Sequence, residues 1–305
     1  MRPSTKEAAR GKWRGILLQL GVSDKHLSGK HGPCPMCGGT DRFRFDNKGG
    51  DGGYICGQCG AGNGFDLLRG VNGWDFKRAA SEVDRIVGNV AADPARKQPN
   101  EARQREDRQR LWASGVTIQA DNPASRYIGS RGLYLPQNPD CLRYVERCPV
   151  PREHGGGFAP AMIALVMPAG EGYANIHRTF LRPDGSGKAD MAEPRAMMPG
   201  RIADGAAIRL AHVHGERLGI AEGIETALAA SQRFNVPTWA AINSTILMKW
   251  RPPAGVKEVV IFGDNDRLHG GQMAAETLAH RLAVKGFTVE VRIPPEVGKD
   301  WADAA

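Results

Sequence analysis

Near the N-terminus, apolar side chains fall at helical intervals. Trp13, Ile16, Leu17 and Leu20 share one face, Ser4-Thr-Lys-Glu7 has the capping-box spacing, and Gly21 follows. This pattern predicts one amphipathic helix that ends at Gly21. Residues 31–64 break the periodicity with a glycine-rich run that carries four cysteines and cannot build an ordinary core. A second amphipathic helix is predicted over Trp74–Val87, with Ala79, Ala80, Val83 and Val87 inward. Val90–Arg110 is polar, with Pro94 and Pro99, and reads as a linker that runs into a helix near Glu101. Its second half reads equally as a solvated helix face. From Trp112 to about Gly215 the pattern is mixed. It offers strands at Ala161–Met167 and Tyr173–Leu181 and a turn at Pro183-Asp-Gly-Ser-Gly187.

From Arg217 the alternation becomes regular: strand Leu218–Ala221, helix Ile224–Gln232, strand Thr238–Ile242, strand Lys257–Phe262, helix Gly271–Lys285 and strand Thr288–Ile293. That order predicts a mainly parallel sheet flanked by helices, an α/β arrangement inside a chain that is α+β overall. No internal repeat is present. Four parts are expected: 1–89 around the cysteines with flanking helices, 90–111 as linker and helix, 112–215 as a basic mixed α+β region, and 216–305 as the parallel sheet.

Composition adds a partner and a compartment. The chain has 305 residues, 41% of them hydrophobic, which is enough for more than one core. Its net charge of +8 favours an acidic partner, most often nucleic acid, although a merely soluble basic enzyme has nearly the same claim. No run reaches the roughly 18 apolar residues of a membrane helix, and Ile16–Leu20 is too short for a signal peptide. Without an export signal, six cysteines point to a reducing cytoplasm and to metal rather than disulfides.

Cys34-Pro-Met-Cys37 and Cys56-Gly-Gln-Cys59 are separated by 18 residues, within zinc-ribbon spacing. Each pair wraps one side of a tetrahedral ion, and Gly38 and Gly60 free the turn after each pair. Four thiolates close a structural zinc site, so His31 is read as a neighbour and Cys141 and Cys148 as ordinary residues. Between the pairs, Asp41-Arg-Phe-Arg-Phe45 as a strand places Arg42 and Arg44 on one face and Phe43 and Phe45 on the other. The rings are read as filling the small core, and the arginines as nucleic-acid contacts.

The apolar run Val259–Phe262 ends in Gly263-Asp-Asn-Asp266, and Leu218–Ala221 ends in Glu222-Gly-Ile-Glu225. In a parallel sheet, Glu222, Asp264 and Asp266 leave the same edge, where ligands bind. Carboxylates so close repel unless a cation lies between them, and their oxygens suit Mg²⁺ or Mn²⁺. Glu225 reads as a solvated charge one step along the helix. Gly298-Lys-Asp-Trp-Ala-Asp303 is expected to bring Asp300 or Lys299 back to this rim.

The pattern Glu222-Gly … Asp264-x-Asp266 resembles the Toprim fold of bacterial-type primases, topoisomerases and related nucleases. The block His31–Phe45 with Cys56-Gly-Gln-Cys59 resembles the zinc ribbon of phage and plasmid primases of the P4 alpha type. Ile176–Leu181 with Asp184–Ala189, and the closing Gly298–Asp303, resemble further segments of those proteins. The resemblance spans nearly the whole chain and implies a cytoplasmic DNA primase, phage- or plasmid-encoded, that makes short RNA primers from NTPs on single-stranded DNA. It implies Glu222 as a metal ligand or general base, Asp264 and Asp266 as magnesium ligands, and Arg178 and Lys188 near template or nucleotide. A G-x-x-x-x-G-K-[ST] loop is missing. A strand-opening helicase is therefore expected to be another protein, or to lie beyond this stretch of sequence. Other readings are a Toprim nuclease or topoisomerase, or a non-catalytic DNA-binding module. The first lacks the phosphate loop or a tyrosine after the acidic motif. The second has little use for the hundred or so residues before Gly215.

Overall fold

The computed structural model describes residues 3–93, 100–119, 121–170, 172 and 174–303. Pro94, Pro99 and Tyr173 of the expected linker and strand lie outside them. The chain divides into Met1–Gln98 and Pro99–Ala305. Among the described residues, no helix is long and apolar enough to cross a membrane.

In the first unit, α1 (Thr5–Ala9) and α2 (Trp13–Gln19) replace the single predicted helix. The Ser4/Glu7 capping box forms, but the chain turns at Gly11, whose N–H donates to Gly50 O at 2.7 Å. Four short antiparallel strands follow in sequence order: β1 (Gly32–Cys34), β2 (Gly38–Phe45), β3 (Tyr54–Cys56) and β4 (Gly60–Gly62). Then come α3 (Gly64–Asn72) and α4 (Phe76–Ile86). Trp13 meets Phe65 edge-on at 4.7 Å, and both join Ile16, Leu17, Phe43 and Phe45 in one core.

The second unit begins with α5 (Glu101–Ser114), the helix expected near Glu101, and it is more than a solvated face: its Leu111 and Arg108 are buried. After it come β5 (Val116–Thr117), α6 (Pro123–Ser130), β6 (Leu142–Pro149), β7 (Phe158–Met167), β8 (Asn175–Phe180), β9 (Arg195–Met197) and β10 (Ala207–Ile208). The chain ends with β11 (Arg217–Ala221), α7 (Ile224–Phe234), β12 (Thr238–Ala240), α8 (Ser244–Lys249), β13 (Glu258–Phe262), α9 (Gly270–Ala283) and β14 (Thr288–Arg292). One ten-stranded sheet runs β14-β13-β11-β12-β10-β7-β6-β5, with β8 and β9 branching from β7. The first four of these strands are parallel, and the rest are antiparallel. β10 joins the two halves, so the mixed region and the parallel sheet share one continuous layer. Apolar runs such as Val259–Phe262 are buried because helices cover the parallel part.

Candidate metal centres and acidic edge

The four cysteines converge from the two knuckles of the small sheet, and their Sγ atoms all lie within 4.8 Å of one another. Cys34 and Cys59 Sγ are 4.0 Å apart, and Cys37 and Cys56 Sγ 3.7 Å. A tetrahedron with Zn–S bonds of about 2.3 Å has edges of about 3.8 Å, so the donor set fits zinc without rearrangement. Gly38 at φ +70° and Gly60 at φ +82° adopt the left-handed turn that follows each knuckle. The N–H groups of Cys59 and Gln58 point at Cys56 Sγ and help bring that thiol down to about 6, favouring the thiolate a metal needs. His31 is exposed, 3.9 Å from Asp41, and stands outside the quartet. Phe43 and Phe45 are buried in the core, and Arg42 on the opposite face is exposed and bonded to Gln58. Arg44 is half-buried beside it.

In the second unit, Ala221 of β11 pairs in parallel with Phe262 of β13. Glu222 and Asp264 therefore leave the same edge of the sheet, one and two residues on. A Cβ on Gly271 would lie 2.6 Å from Asp264 O, so only glycine lets the start of α9 pack onto the Asp264 backbone. The segment after β14 is tied to this loop. Asn265 donates to Pro294 O at 2.7 Å and to Lys299 O at 3.0 Å, and Gly298 donates to Asn265 O at 2.6 Å. Trp301 is buried against Phe234 with ring centres 4.9 Å apart. These ties bring Asp300 close enough to raise the Asp264 carboxyl. Lys299 is held here through its backbone carbonyl.

Asp264 is pushed up to about 7, first by burial and then by Glu222, Asp300 and Asp266. Glu222 is raised by burial and by Asp266. Asp264 Oδ1 is buried without a hydrogen-bond partner. An orphaned carboxylate oxygen among three other acids is where a divalent cation fits. Asp266 is exposed, and its Oδ2 already accepts from Gly271 N–H at 2.8 Å, so it caps α9 as well. Among the described residues the acids do not close into a shell as tight as the cysteines'.

Three basic or acidic residues behave differently from the sequence reading. Arg178 is 4% exposed and is spent on backbone carbonyls. It donates to Pro149 O at 2.7 Å and Met197 O at 2.8 Å, clasping β6 and β9 across β8. Lys188 is 2.9 Å from Glu225, and Glu225 is buried rather than solvated. A basic residue that the sequence reading passed over, Arg195, stands opposite Thr179 on β9 and is exposed. It acts electrostatically on Glu222, Asp264 and His177 and partly offsets the rise of both carboxyls. Its signal in the sequence was only Pro194-Arg195, with no apolar alternation to mark a strand.

Three domain families match along the chain. A zinc-binding domain of primase-helicases covers residues 29–65, a domain of unknown function covers 102–210, and the Toprim domain covers 217–305. The chain thus carries a primase-type zinc ribbon followed by a Toprim domain. Solved structures similar to it include the zinc-binding and RNA polymerase domains of the Aquifex aeolicus primase. That likeness is at 14% identity and a TM-score of 0.43, covering 99% of this chain and 81% of that one. The RNA polymerase domain of the Mycobacterium tuberculosis primase shares 12% identity at a TM-score of 0.42, covering 68% and 79%. The E. coli primase catalytic core shares 14% at 0.40, covering 67% and 73%. Likeness at these scores adds no weight to the chemistry, which rests on the side chains.

Proposed function

We propose that the chain is a DNA primase that joins ribonucleotides into short primers on single-stranded DNA. The observation that carries this reading is the acidic edge, with its orphaned Asp264 oxygen, on the same chain as a primase-type zinc ribbon. In this reading Glu222, Asp264 and Asp266, with Asp300 beside them, hold Mg²⁺ or Mn²⁺. The ion, when bound, offsets the charge that builds on the phosphate oxygens. The 3′-hydroxyl oxygen bonds to the α-phosphorus, the bond to the bridging oxygen breaks, and pyrophosphate leaves with its electron pair. The hydroxyl proton is lost to a base, and Glu222, raised by burial, serves as that base or as a ligand. Arg195, exposed on β9, suits the triphosphate or template phosphates, and Arg42 and Arg44 suit template on the zinc unit.

The test is incorporation of labelled NTPs on a panel of single-stranded DNA templates with Mg²⁺ or Mn²⁺. Short oligoribonucleotides are expected. No product on any template would remove the enzyme reading and leave a DNA-binding module. Activity that survives Asp264→Ala with Asp266→Ala would remove the site assignment.

A further inference from the structure

Behind the acidic edge, four ionisable side chains meet from four segments. Tyr127 comes from α6 and His177 from β8. Lys188 closes the turn after β8, and Glu225 sits in the first turn of α7. Glu225 is 7% exposed. Its Oε1 accepts the Tyr127 hydroxyl and lies 2.9 Å from Lys188 Nζ. Burial raises a carboxyl, but the Lys188 ammonium and the bonds from Tyr127 and Lys188 outweigh it and bring Glu225 down to about 2. His177 is brought to about 4 by burial, so its imidazole is neutral, and its buried Nδ1 has no partner.

A buried ion pair is a poor source of stability, because well-packed apolar groups do as well or better. Helix α7 supplies another reason for it. Its N-cap is Gly223, which offers no side-chain acceptor to the helix N–H groups. Glu222 is the residue just before that cap. On its other side Glu222 O accepts the Ile242 N–H at 2.7 Å, so β12's exit holds one flank. The flank toward α7 is held by Glu225, two residues past the cap.

We propose that Glu225, fixed by Tyr127 and Lys188, is a positioning residue that pins the first turn of α7 and so aims Glu222 at the acidic edge. This rests on reading Glu222 as a carboxylate that holds the cation. In this role Glu225 acts through α7, its Oε1 accepting from the Tyr127 hydroxyl and pairing with the Lys188 ammonium. Lys188 is correspondingly a strut between the turn and α7 rather than a phosphate ligand.

The test uses the full zinc-loaded chain and Mn²⁺ binding followed by electron paramagnetic resonance. Glu225→Gln and Lys188→Met are expected to keep zinc content and circular dichroism but to weaken Mn²⁺ binding about tenfold or more, the usual effect of losing an outer partner. Lys188→Arg keeps the charge and is expected to restore binding to within about threefold on the same scale. Amide exchange over residues 224–227 should quicken in the first two variants. In primer synthesis kcat should fall while KM for NTPs holds. Mn²⁺ affinity within about twofold of the parent in both variants, far short of an outer-partner effect, overturns the proposal. Should either variant fail to fold, Tyr127→Phe keeps the ion pair and removes one donor. Unchanged Mn²⁺ affinity there also overturns it. A parent chain that makes no primer, with Mn²⁺ binding still weakened in the variants, sinks the primase reading and supports the positioning role.

Discussion

Replacing Asp264 by asparagine should make the second unit more stable, increasingly so above about pH 4. In the folded protein this carboxyl titrates near about 7, against 3.8 for a free aspartate. Between those values the folded state keeps a proton that the unfolded chain has lost. Unfolding free energy therefore falls as pH rises through the window, and the loss is complete above the folded value. A span of about 3 pH units at 1.36 kcal/mol each amounts to at most ~4 kcal/mol. Water that reaches the half-buried edge screens the repulsion, so roughly 2 kcal/mol is expected. Asparagine removes the charge at nearly constant volume. The assay is urea unfolding of zinc-loaded protein in metal-free buffer at pH 5 and pH 8, for parent and Asp264→Asn, followed through the second unit's tryptophans. The variant should be ahead by under about 1 kcal/mol at pH 5 and by about 2 kcal/mol at pH 8. Mn²⁺ should then stabilise the parent and not the variant, closing or inverting the gap. A difference that does not change with pH, or a variant less stable at pH 8, would refute this account of the edge.

Cys34→Ser should lower bound zinc from about one per chain to near none and unfold the first unit, because that small core depends on the metal; atomic absorption and circular dichroism read both, and full zinc retention would contradict the quartet. Arg178→Ala should cost roughly 2–4 kcal/mol in urea unfolding, from two lost charged hydrogen bonds and stranded carbonyls, with the salt dependence of single-stranded DNA binding unchanged. A shallower salt slope at unchanged stability would instead make Arg178 a phosphate contact. Arg195→Ala removes an exposed side chain and should leave unfolding within about 0.5 kcal/mol of the parent, while KM for NTPs or template affinity worsens about tenfold, the scale of one lost charge-assisted contact. Unchanged KM and unchanged DNA affinity would remove Arg195 from the site.

The parallel half of the sheet was legible because β11 and β13 are apolar runs, and each ends in the acidic residues that matter. The antiparallel half was not. Strand β6 buries Leu142 in one core and Val145 with Cys148 in another, and the last two are three apart because a bulge between them shifts the register. A bulge destroys the alternation by which a half-buried strand is recognised. Helices α3 and α8 were passed over for a different reason: each is short and starts on an asparagine cap, Asn63 and Asn243, in segments read for cysteines or strands. Helix α1 was fused with α2 because nothing in the periodicity marks Gly11 as a break. The cysteine quartet needed only spacing. The acidic edge needed only strand ends. Arg178 and Glu225 needed the third dimension, since a charged letter in a sequence does not say whether backbone carbonyls or an ammonium wait for it.

The alternation of β8 explains why these two went different ways. His177 and Thr179 face the side of the sheet where Arg195, Lys188 and Glu225 gather, and Arg178 between them faces the other. One strand thus places its only fully charged residue away from the acids and a neutral imidazole toward them. The consequence is electrostatic. The acidic edge meets positive charge from Arg195 at the surface and from Lys188 only after Glu225 has cancelled it. Among the described residues no buried cation neutralises Glu222 and Asp264 directly, so in the proposed reading their repulsion is what a divalent ion would relieve. A basic side chain moved into contact with Asp264 would stabilise the fold and weaken the ion's binding together.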